Sequence, residues 1–323
     1  MTVRVPGSCG ELIQGSFKGE DFLVSCPINL YTKATAYFGD SRPGLNNQVL
    51  INKKIVNSFA GYEIEEISTE RTKKAAAELL RYYNISGGRI KIDISSELIP
   101  GIGMASSTAD ISAAAAAVML LLRNKVDFGL LKKICLELEP TDSVFLSGIR
   151  IFDHRQGRRD IFLSSEADID ILLFKEKGVV DSLEFNQLPD LFSQNTAKEK
   201  VLKKSLRLIK TGLKTGNYYL LGRGSTISAL AHQELLFKEN LDKLLKITVG
   251  SDQIYGLNIA HSGTVTGILI KQDFNSDKLV NKIKKQTSLK FIKKVKMISG
   301  GIERKIDNGA SAWRKIEAGS SSE

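Results

Sequence analysis

Residues that could cross-link this chain or bind a metal through soft ligands are scarce. Only three of its 323 residues are cysteines, Cys9, Cys26 and Cys135, and they show no paired spacing. The sequence therefore predicts no disulfide framework, which is typical of a protein from a reducing compartment such as the cytoplasm. The three histidines lie far apart in the sequence, so a zinc site has almost no support.

Long apolar runs are also lacking. The longest, residues 113–122, is too short to span a bilayer and has the length of a buried helix. The N-terminus has no basic segment followed by an apolar core, so we expect no signal peptide. Aromatic residues make up only 7% of the chain and are scattered, whereas an RNA-binding surface would cluster them for base stacking. We therefore expect neither a membrane nor a nucleic acid as a partner.

Positive charge, in contrast, is in excess. The chain has 46 lysines and arginines against 36 acidic residues, which gives a formal net charge of +10. A basic balance favours anionic partners. The lysines are spread along the sequence, which fits a phosphorylated small molecule. Nothing in the sequence indicates an oligomeric state.

The predicted elements run as strands, then helices, then a second set of both. Short strands are predicted in the first forty residues, which are rich in β-branched and aromatic side chains. Helical periodicity covers 69–83, 111–124, 127–140, 197–213, 225–237, 240–251 and 277–286. Further strands are predicted at 89–94, 168–174, 264–270 and 291–298, and a hairpin with a polar tip at 148–163. This order predicts an α+β fold of two packed subdomains, with a disordered tail. We place them at 1–165, 166–315 and 316–323.

One stretch, “PGIGMASSTAD” at residues 100–110, combines a glycine turn, three hydroxyls and the start of an apolar helix. The first turn of a helix has free N–H groups and a partial positive charge, so it stabilises a phosphate without a charged side chain. Glycines let the backbone approach the phosphate, and a hydroxyl can ligate Mg²⁺. A second interpretation stays open, because Ser107 and Asp110 have the spacing of a capping box. For Asp110 we predict helix capping first and a place beside a metal second.

Three common phosphate-binding motifs do not fit this stretch. A P-loop needs a lysine before its hydroxyl, and none is present. Ser106 stands where a dinucleotide fingerprint has its third glycine. The sequence also lacks the strand lysine, catalytic loop and Asp-Phe-Gly motif of protein kinases.

The same stretch resembles the phosphate loop of the GHMP kinases, a family that includes galactokinase, homoserine kinase and mevalonate kinase. “VPGSCGELIQG” near the N-terminus is similar to the first motif of that family. “HSGTVTGILI”, from His261, takes the place of its third motif, although Val265 and Thr266 stand there instead of glycines. The motifs occur in the order of the family over almost the whole chain. Three stretches, “PGSCGELIQG”, “PGIGMASSTAD” and “LEPTDSVF”, most resemble the L-threonine kinases of cobalamin synthesis.

This resemblance implies a fold and a reaction. The expected fold is the two-subdomain GHMP kinase fold, with an N-terminal subdomain like ribosomal protein S5 and a ferredoxin-like C-terminal subdomain. The expected reaction is ATP-dependent phosphorylation of the side-chain hydroxyl of L-threonine, for the aminopropanol-phosphate linker of cobalamin, with ATP and Mg²⁺ as cofactors. Two alternatives remain: another hydroxyl acceptor (L-serine, homoserine or a mevalonate-type alcohol), or a non-catalytic nucleotide sensor on the same fold.

The resemblance also assigns roles to residues. Asp142 matches the catalytic aspartate, which would accept or orient the proton of the acceptor hydroxyl; as an isolated pattern it is also a common turn residue. Ser107 is the candidate for the Mg²⁺-facing hydroxyl. Glu139 is favoured over Glu137 as the acidic metal ligand, and a solvated helix-end acid is its alternative. The ATP-binding candidates are Pro100, Gly101, Ile102, Gly103, Met104, Ala105, Ser106, Ser107 and Thr108.

An amino-acid acceptor needs a donor group for its carboxylate and an acid for its ammonium. The acceptor-binding candidates are Ser8, Cys9, Gly10, Glu11, His261 and Ser262. Glu11 is the candidate for the ammonium, while a small buried residue is an equal alternative for Cys9. A basic hairpin could also reach a phosphate or carboxylate, although a solvated tip is favoured. Its members are Arg150, His154, Arg155, Arg158 and Arg159.

Overall fold

The structure is a computed structural model that describes residues 1–39, 48–56, 69–86, 89–178, 197–308 and 310–317. The expected tail lies outside these residues from residue 318 onward. The described chain forms a mixed fold of seven principal helices on one large, mostly antiparallel sheet. The α+β prediction is therefore confirmed.

Twelve strands are present in the described part of the chain. They are β1 (Thr2–Phe17), β2 (Glu20–Phe38), β3 (Gln48–Ile55), β4 (Arg89–Ser96), β5 (Ile149–Phe152), β6 (Asp160–Ser164), β7 (Ile169–Lys175), β8 (Ile254–Ile259), β9 (Val265–Lys271), β10 (Lys290–Lys296), β11 (Glu303–Asn308) and β12 (Ala310–Lys315). The main sheet has the order β10-β7-β9-β8-β1-β2-β4-β3. Strand β11 pairs with β1 and β12, and β5 pairs with β2 and β6. Only the β3–β4 pair among them is parallel.

The first forty residues form two long strands, not the short ones expected. β1 and β2 pair antiparallel along nearly their full length, but the register shifts between Pro6 and Gly7 and again between Ser8 and Glu11. Such bulges bend a strand and redirect its side chains. The first motif therefore lies inside a strand, and its bulge turns it toward the phosphate-loop candidate.

Seven principal helices pack on this sheet. They are α1 (Glu70–Tyr82), α2 (Ser106–Arg123), α3 (Phe128–Leu138), α4 (Glu199–Thr215), α5 (Tyr218–His232), α6 (Leu241–Thr248) and α7 (Asp277–Gln286). Helix α2 is the central one, and every residue from Thr108 to Leu120 is buried. Its run of alanines has little volume, so β1, β2 and β4 on one side and α1 and α3 on the other pack closely around it.

Among the described residues, α2 is the single helix whose length and composition would suffice to cross a membrane. However, 72% of that window is buried inside the fold. The burial agrees with the prediction of a central core helix, because α2 already has protein on nearly every side.

Two hydrophobic clusters stabilise the fold. The larger one packs the sheet against α1, α2 and α3 and continues under α4. The smaller one lies between α5–α7 and the strands β7, β8 and β9. Strand β1 joins the two parts, because it pairs with β2 on one side and with β8 and β11 elsewhere along its length.

Candidate active site

The phosphate-loop candidate is held from behind by the other two motifs. The carbonyl oxygens of Ile102, Gly103 and Met104 accept main-chain hydrogen bonds of 2.9–3.1 Å. The donors are Ser8, Gly10, Thr264 and Val265. Because the C=O and N–H of a trans peptide point in opposite directions, the N–H groups of residues 103–105 face away from this support. The loop thus presents consecutive donors on its free side.

Left-handed backbone at alternate positions shapes the same loop. φ is +73° at Gly101, +89° at Gly103 and +54° at Ala105. Alternating left- and right-handed residues turn successive N–H groups to one side and create an anion-binding concavity. A Cβ at Gly103 would collide with Ala260, so this position needs glycine for space as well as for conformation. Helix α2 begins directly afterwards at Ser106, and its dipole points at the same concavity.

Ser107, Glu139 and Arg71 meet beside the first turn of α2. The hydroxyl of Ser107 donates to Oε2 of Glu139 at 2.7 Å, and Nη1 of Arg71 donates to the same oxygen at 2.5 Å. Burial raises the pKa of Glu139, while the Ser107 hydrogen bond and the Arg71 charge oppose this shift. The prediction chose Glu139 over Glu137, and Glu137 instead lies exposed on α3, 3.8 Å from Lys133. The cluster thus places a hydroxyl and a carboxylate, two groups that can ligate Mg²⁺, beside the guanidinium of Arg71.

Asp142 connects this first turn to the strand side of the site. Its N–H donates to the hydroxyl of Thr108 at 3.3 Å, and its carboxylate accepts a 2.8 Å hydrogen bond from Ser25 on β2. Desolvation raises the pKa of Asp142 to about 7, with a further increase from the charge of Glu11. A carboxyl group with that pKa is poised to take up a proton near neutral pH.

The prediction that Asp110 caps α2 is wrong. The cap position is Ala105, which makes no side-chain cap hydrogen bond. Asp110 points into the core, where it accepts from Lys53 on β3 at 2.5 Å and from Thr32 at 3.0 Å. Capping-box spacing is a local signal, and a buried lysine on a distant strand overrides it. Burial raises the pKa of Asp110, and the Lys53 charge opposes that shift.

Glu11 and His261 form a buried pair near Asp142. Oε2 of Glu11 accepts from the N–H of His261 at 2.8 Å and lies 3.0 Å from its Nδ1. Nε2 of His261 lies 3.2 Å from the hydroxyl of Ser228 on α5. Burial lowers the pKa of His261 to about 3 and raises that of Glu11 to about 7. The imidazole is therefore neutral and donates to Glu11 through Nδ1.

Ser8 and Cys9 use their polar atoms inside the protein. The hydroxyl of Ser8 donates to the carbonyl of Gly10 and lies 3.1 Å from the carbonyl of Cys26, so it stabilises the bulge. Cys9 is fully buried, and its thiol lies 3.6 Å from Oδ1 of Asn258. Burial raises the pKa of this thiol to about 12. This placement favours the alternative of a small buried residue for Cys9.

Three arginines of the basic hairpin form ion pairs with acidic residues. Arg150 pairs with Asp160, Arg159 with Glu20, and Arg155 with Asp21 at 2.8 Å. Arg158 is exposed at the tip. Arg150 is thus paired within the hairpin, Arg155 and Arg159 are paired with β2, Arg158 faces solvent, and His154 is buried.

The comparisons with known proteins agree with this geometry. A family model described as the GHMP kinases N-terminal domain matches residues 70–148. An L-threonine kinase from Salmonella typhimurium is 30% identical over 304 residues, covering 93% of this chain and 94% of that protein. An L-threonine kinase from Citrobacter freundii is 29% identical over 304 residues, covering 93% of this chain and 98% of that protein.

This chain belongs to the GHMP kinase family. A homoserine kinase structure from Cytophaga hutchinsonii shares the fold, with a TM-score of 0.65 and 18% identity over 93% of this chain and 95% of that one. The protein is thus a kinase whose family transfers phosphoryl groups from ATP to hydroxyl acceptors. The expected two-subdomain GHMP kinase fold is confirmed.

The structure of this GHMP kinase brings most of the predicted site residues together. The phosphate-loop candidate, Ser107, Glu139 and Asp142 lie together at the start of α2. Glu11, His261 and Ser262 lie on the segments that support this loop. Three residues that contact the site were missed by the sequence analysis. They are Ser25, Arg71 and Lys238, which donate to Asp142, Glu139 and the carbonyl of Gly263. Each acts across a long sequence separation, and no local motif marks any of them.

Proposed function

We propose that this GHMP kinase transfers the γ-phosphoryl group of ATP to the side-chain hydroxyl of L-threonine, giving O-phospho-L-threonine and ADP. The observation that carries the proposal is the position of Asp142. Its main chain meets Thr108 at the start of α2, while its carboxylate faces Ser25 and feels the charge of Glu11. Together with the two threonine kinase relatives, this geometry supports an acceptor hydroxyl placed between Asp142 and the phosphate loop.

Binding of the triphosphate falls to the backbone. The N–H groups of residues 103–105 and the first turn of α2 face one concavity, and each is a donor for phosphate oxygens. No charged side chain is needed for this contact, which agrees with the absence of a P-loop lysine. The role of the loop in phosphoryl transfer is to fix the phosphates in line with the acceptor.

Magnesium fits the residues beside the loop. Mg²⁺ prefers oxygen ligands and is commonly held by one or two protein groups plus phosphates and water. The Ser107 hydroxyl and the Glu139 carboxylate lie 2.7 Å apart and already share a cation, the Arg71 guanidinium. No group of three or more His, Cys, Asp or Glu side chains gathers around a metal-sized space in the described ranges. Bound Mg²⁺ would supply charge neutralisation at the phosphate oxygens.

Proton removal falls to Asp142. With a pKa of about 7, its carboxylate accepts a proton at neutral pH more readily than an ordinary aspartate, and Ser25 fixes one of its oxygens at 2.8 Å. The nearby carboxylates of Glu11 and Glu139 add negative potential. This potential favours an acceptor with a cationic group, such as the ammonium of an amino acid.

The most specific part of the proposal is that the acceptor is threonine and not a similar hydroxyl compound. L-Serine lacks only one methyl group, and a difference of that size changes binding by about 1–3 kcal/mol. The same acidic site would accept homoserine, whereas a mevalonate-type alcohol has no ammonium for it. The reaction requires ATP and therefore belongs in the cytoplasm. Its product would supply the aminopropanol-phosphate linker of cobalamin.

A direct test measures ADP release and phospho-amino-acid formation with Mg²⁺-ATP. The acceptors are L-threonine, L-serine, L-homoserine, mevalonate and none. We expect threonine to give the highest kcat/KM and stoichiometric O-phosphothreonine. Equal slow ADP release in every tube would refute the kinase proposal in favour of a nucleotide sensor, while a faster rate with another acceptor would replace threonine.

A matched pair of variants tests the base. Asp142→Asn keeps the shape of the side chain but cannot take up the proton, so kcat should fall by about 10²–10⁴-fold. Asp127→Asn removes a carboxylate that only caps α3 through the N–H of Leu130, and kcat should stay unchanged. Full turnover by the Asp142 variant would exclude this residue as the base.

A further inference from the structure

His154 differs from the other two histidines of the chain. Its side chain is 4% exposed, and neither Nδ1 nor Nε2 has a hydrogen-bond partner in the described structure. His261 is held by Glu11 and Ser228, and Nε2 of His232 meets the carbonyl of His261 at 2.7 Å. Buried polar side chains are nearly always hydrogen-bonded, so a buried imidazole with two open nitrogens calls for a ligand.

Two contacts relate His154 to the candidate active site. Its carbonyl oxygen accepts a 2.8 Å hydrogen bond from the N–H of Thr141, the residue before Asp142. The ring lies within electrostatic range of His261, which lies against Glu11. The main chain of His154 therefore lies beside the segment that carries the proposed base, and its ring lies within electrostatic range of the Glu11–His261 pair.

The charged groups nearest to the ring have other partners. Asp153 accepts hydrogen bonds of 3.0–3.2 Å from the main chain of the hairpin turn. Asp21 pairs with Arg155 at 2.8 Å and accepts from Ser16. Neither carboxylate is hydrogen-bonded to the imidazole. Burial lowers the pKa of His154 to about 4, so the ring is neutral and offers one N–H donor and one acceptor nitrogen.

The acceptor needs such a donor at this place. Glu11, Asp142 and Glu139 make one side of the site acidic, which suits the ammonium of an amino acid and repels its carboxylate. The α-carboxylate is bonded to the same carbon as the ammonium, so it lies close to these acids and needs a hydrogen-bond donor of its own. A buried N–H donor there is worth more than an exposed one, because no water competes for it.

We propose that the His154 imidazole binds the α-carboxylate of the amino-acid acceptor by donating its ring N–H. This inference rests on the proposed function and extends it to the group that separates amino acids from simple alcohols. The proposal also gives His154 a role within the basic hairpin, whereas the arginines paired with acidic residues stabilise the position of that hairpin. His154 is a binding residue and takes no part in proton transfer.

The test pairs a change in the protein with a change in the substrate. L-Threoninol lacks the carboxylate of threonine but keeps its ammonium and hydroxyl. His154→Phe should raise KM for threonine about 10- to 100-fold, as expected for loss of a hydrogen bond to a charged group. It should leave KM for ATP and kcat/KM for threoninol within about twofold, because those ligands do not use the imidazole. Arg158→Ala, a change at the exposed tip of the same hairpin, should alter none of these values.

Two outcomes would overturn the inference. If His154→Phe weakens threonine and threoninol equally, the imidazole does not bind the carboxylate. If it changes only the melting temperature, the ring serves the fold alone. Should His154→Phe fail to fold, His154→Gln keeps an N–H donor and should retain preference for threonine over threoninol.

The wild-type protein supplies an independent measurement. With only three histidines, its imidazole ¹⁵N signals can be assigned by single substitutions. Threonine added with a non-hydrolysable ATP analogue should shift the His154 signals, and threoninol should not; a shift confined to the other two would contradict the inference. Failure of the wild-type enzyme to phosphorylate threonine would instead refute the proposed function, so the two failures are distinguishable.

Discussion

The N–H of Gly10 donates to the carbonyl oxygen of Gly103 at 3.1 Å. This hydrogen bond joins the bulge of β1 directly to the phosphate-loop candidate. On the same side of the loop, Gly263 lies so close to Ile102 that a Cβ would collide with its carbonyl oxygen. The loop is therefore clamped from behind by two segments that are far apart in the sequence, and these contacts fix its main-chain shape.

Substitution of Gly103 should damage both fold and ATP binding. Gly103→Ala combines a positive φ of +89° with a collision against Ala260, so we expect a loss of about 2–5 kcal/mol in the free energy of unfolding. KM for ATP should rise in the same variant because the N–H groups move. Gly216→Ala is the matched control: its φ is +66°, but nothing lies near its Cβ, so only about 1–2 kcal/mol should be lost. Chemical denaturation and ATP titrations measure both effects, and equal losses would contradict the clamp.

The pH dependence of turnover should reflect Asp142. Because its pKa is raised to about 7, kcat/KM should increase with pH as this carboxyl group loses its proton and should level off above about pH 8. The charge of Glu11 contributes to this raised pKa, so Glu11→Gln should move the inflection to lower pH. A pH–rate profile of both proteins makes the comparison. An inflection that stays in place would show that the two carboxyl groups are not coupled.

Protein stability should change with pH in the opposite direction. The folded-state pKa values of Glu11 and Asp142 lie above their ordinary values of 4.5 and 3.8, because burial disfavours the charged forms. These groups therefore favour the folded state below about pH 4, and that contribution is lost as pH rises through about 7. Asp142→Asn should raise the melting temperature at pH 8 by several degrees and have little effect at pH 4. Calorimetry at the two pH values tests this; an equal shift at both would assign the effect to packing.

Glu139 and Glu137 form a natural pair for a metal test. Glu139→Gln should raise the Mg²⁺ concentration for half-maximal activity by about tenfold or more, since a carboxylate ligand is lost. Glu137 lies exposed on the same helix end, so Glu137→Gln should leave the Mg²⁺ requirement unchanged. Activity is followed while Mg²⁺ is removed by a chelator and restored. If both variants behave like the wild type, the carboxylate ligand lies elsewhere.

The Lys53–Asp110 pair should matter for folding. Both side chains are only 6% exposed, and removing one partner leaves a buried charge, so Lys53→Met should cost about 3–5 kcal/mol. The double substitution Lys53→Met with Asp110→Leu should recover most of that loss while keeping the Mg²⁺ dependence of the wild type. Denaturation curves of the single and double variants provide the numbers. A changed Mg²⁺ dependence in the folded double variant would place Asp110 beside the metal after all.

The local sequence predicted a buried helix after a glycine turn, but not the long-range contacts. Glycines, hydroxyls and an alanine-rich run lie together in residues 100–117, so the turn and the buried helix could be recognised directly. The full length of strands β1 and β2 could not be recognised, because the bulges around Ser8 interrupt the alternation of buried and exposed side chains that marks a strand. Strands β3, β8, β11 and β12 were not predicted either.

Asp110 and Arg71 illustrate the other limit. The capping-box spacing of Asp110 is a true local pattern, but Lys53, on a strand set by sheet register, decides its direction. Arg71 lies in an ordinary amphipathic helix, where nothing marks one basic residue among several. Side chains whose partners come from other elements are determined by packing, and a single sequence does not display that packing.

Strand β1 connects the two subdomains, and this connection affects how the protein unfolds. The same sixteen residues pair with β2, β8 and β11 and brace the phosphate loop through Ser8 and Gly10. Because strands of both subdomains pair with this one strand, we expect the two subdomains to unfold in one cooperative transition. Deletion of residues 1–17 would remove this shared strand, and we expect both subdomains to unfold together.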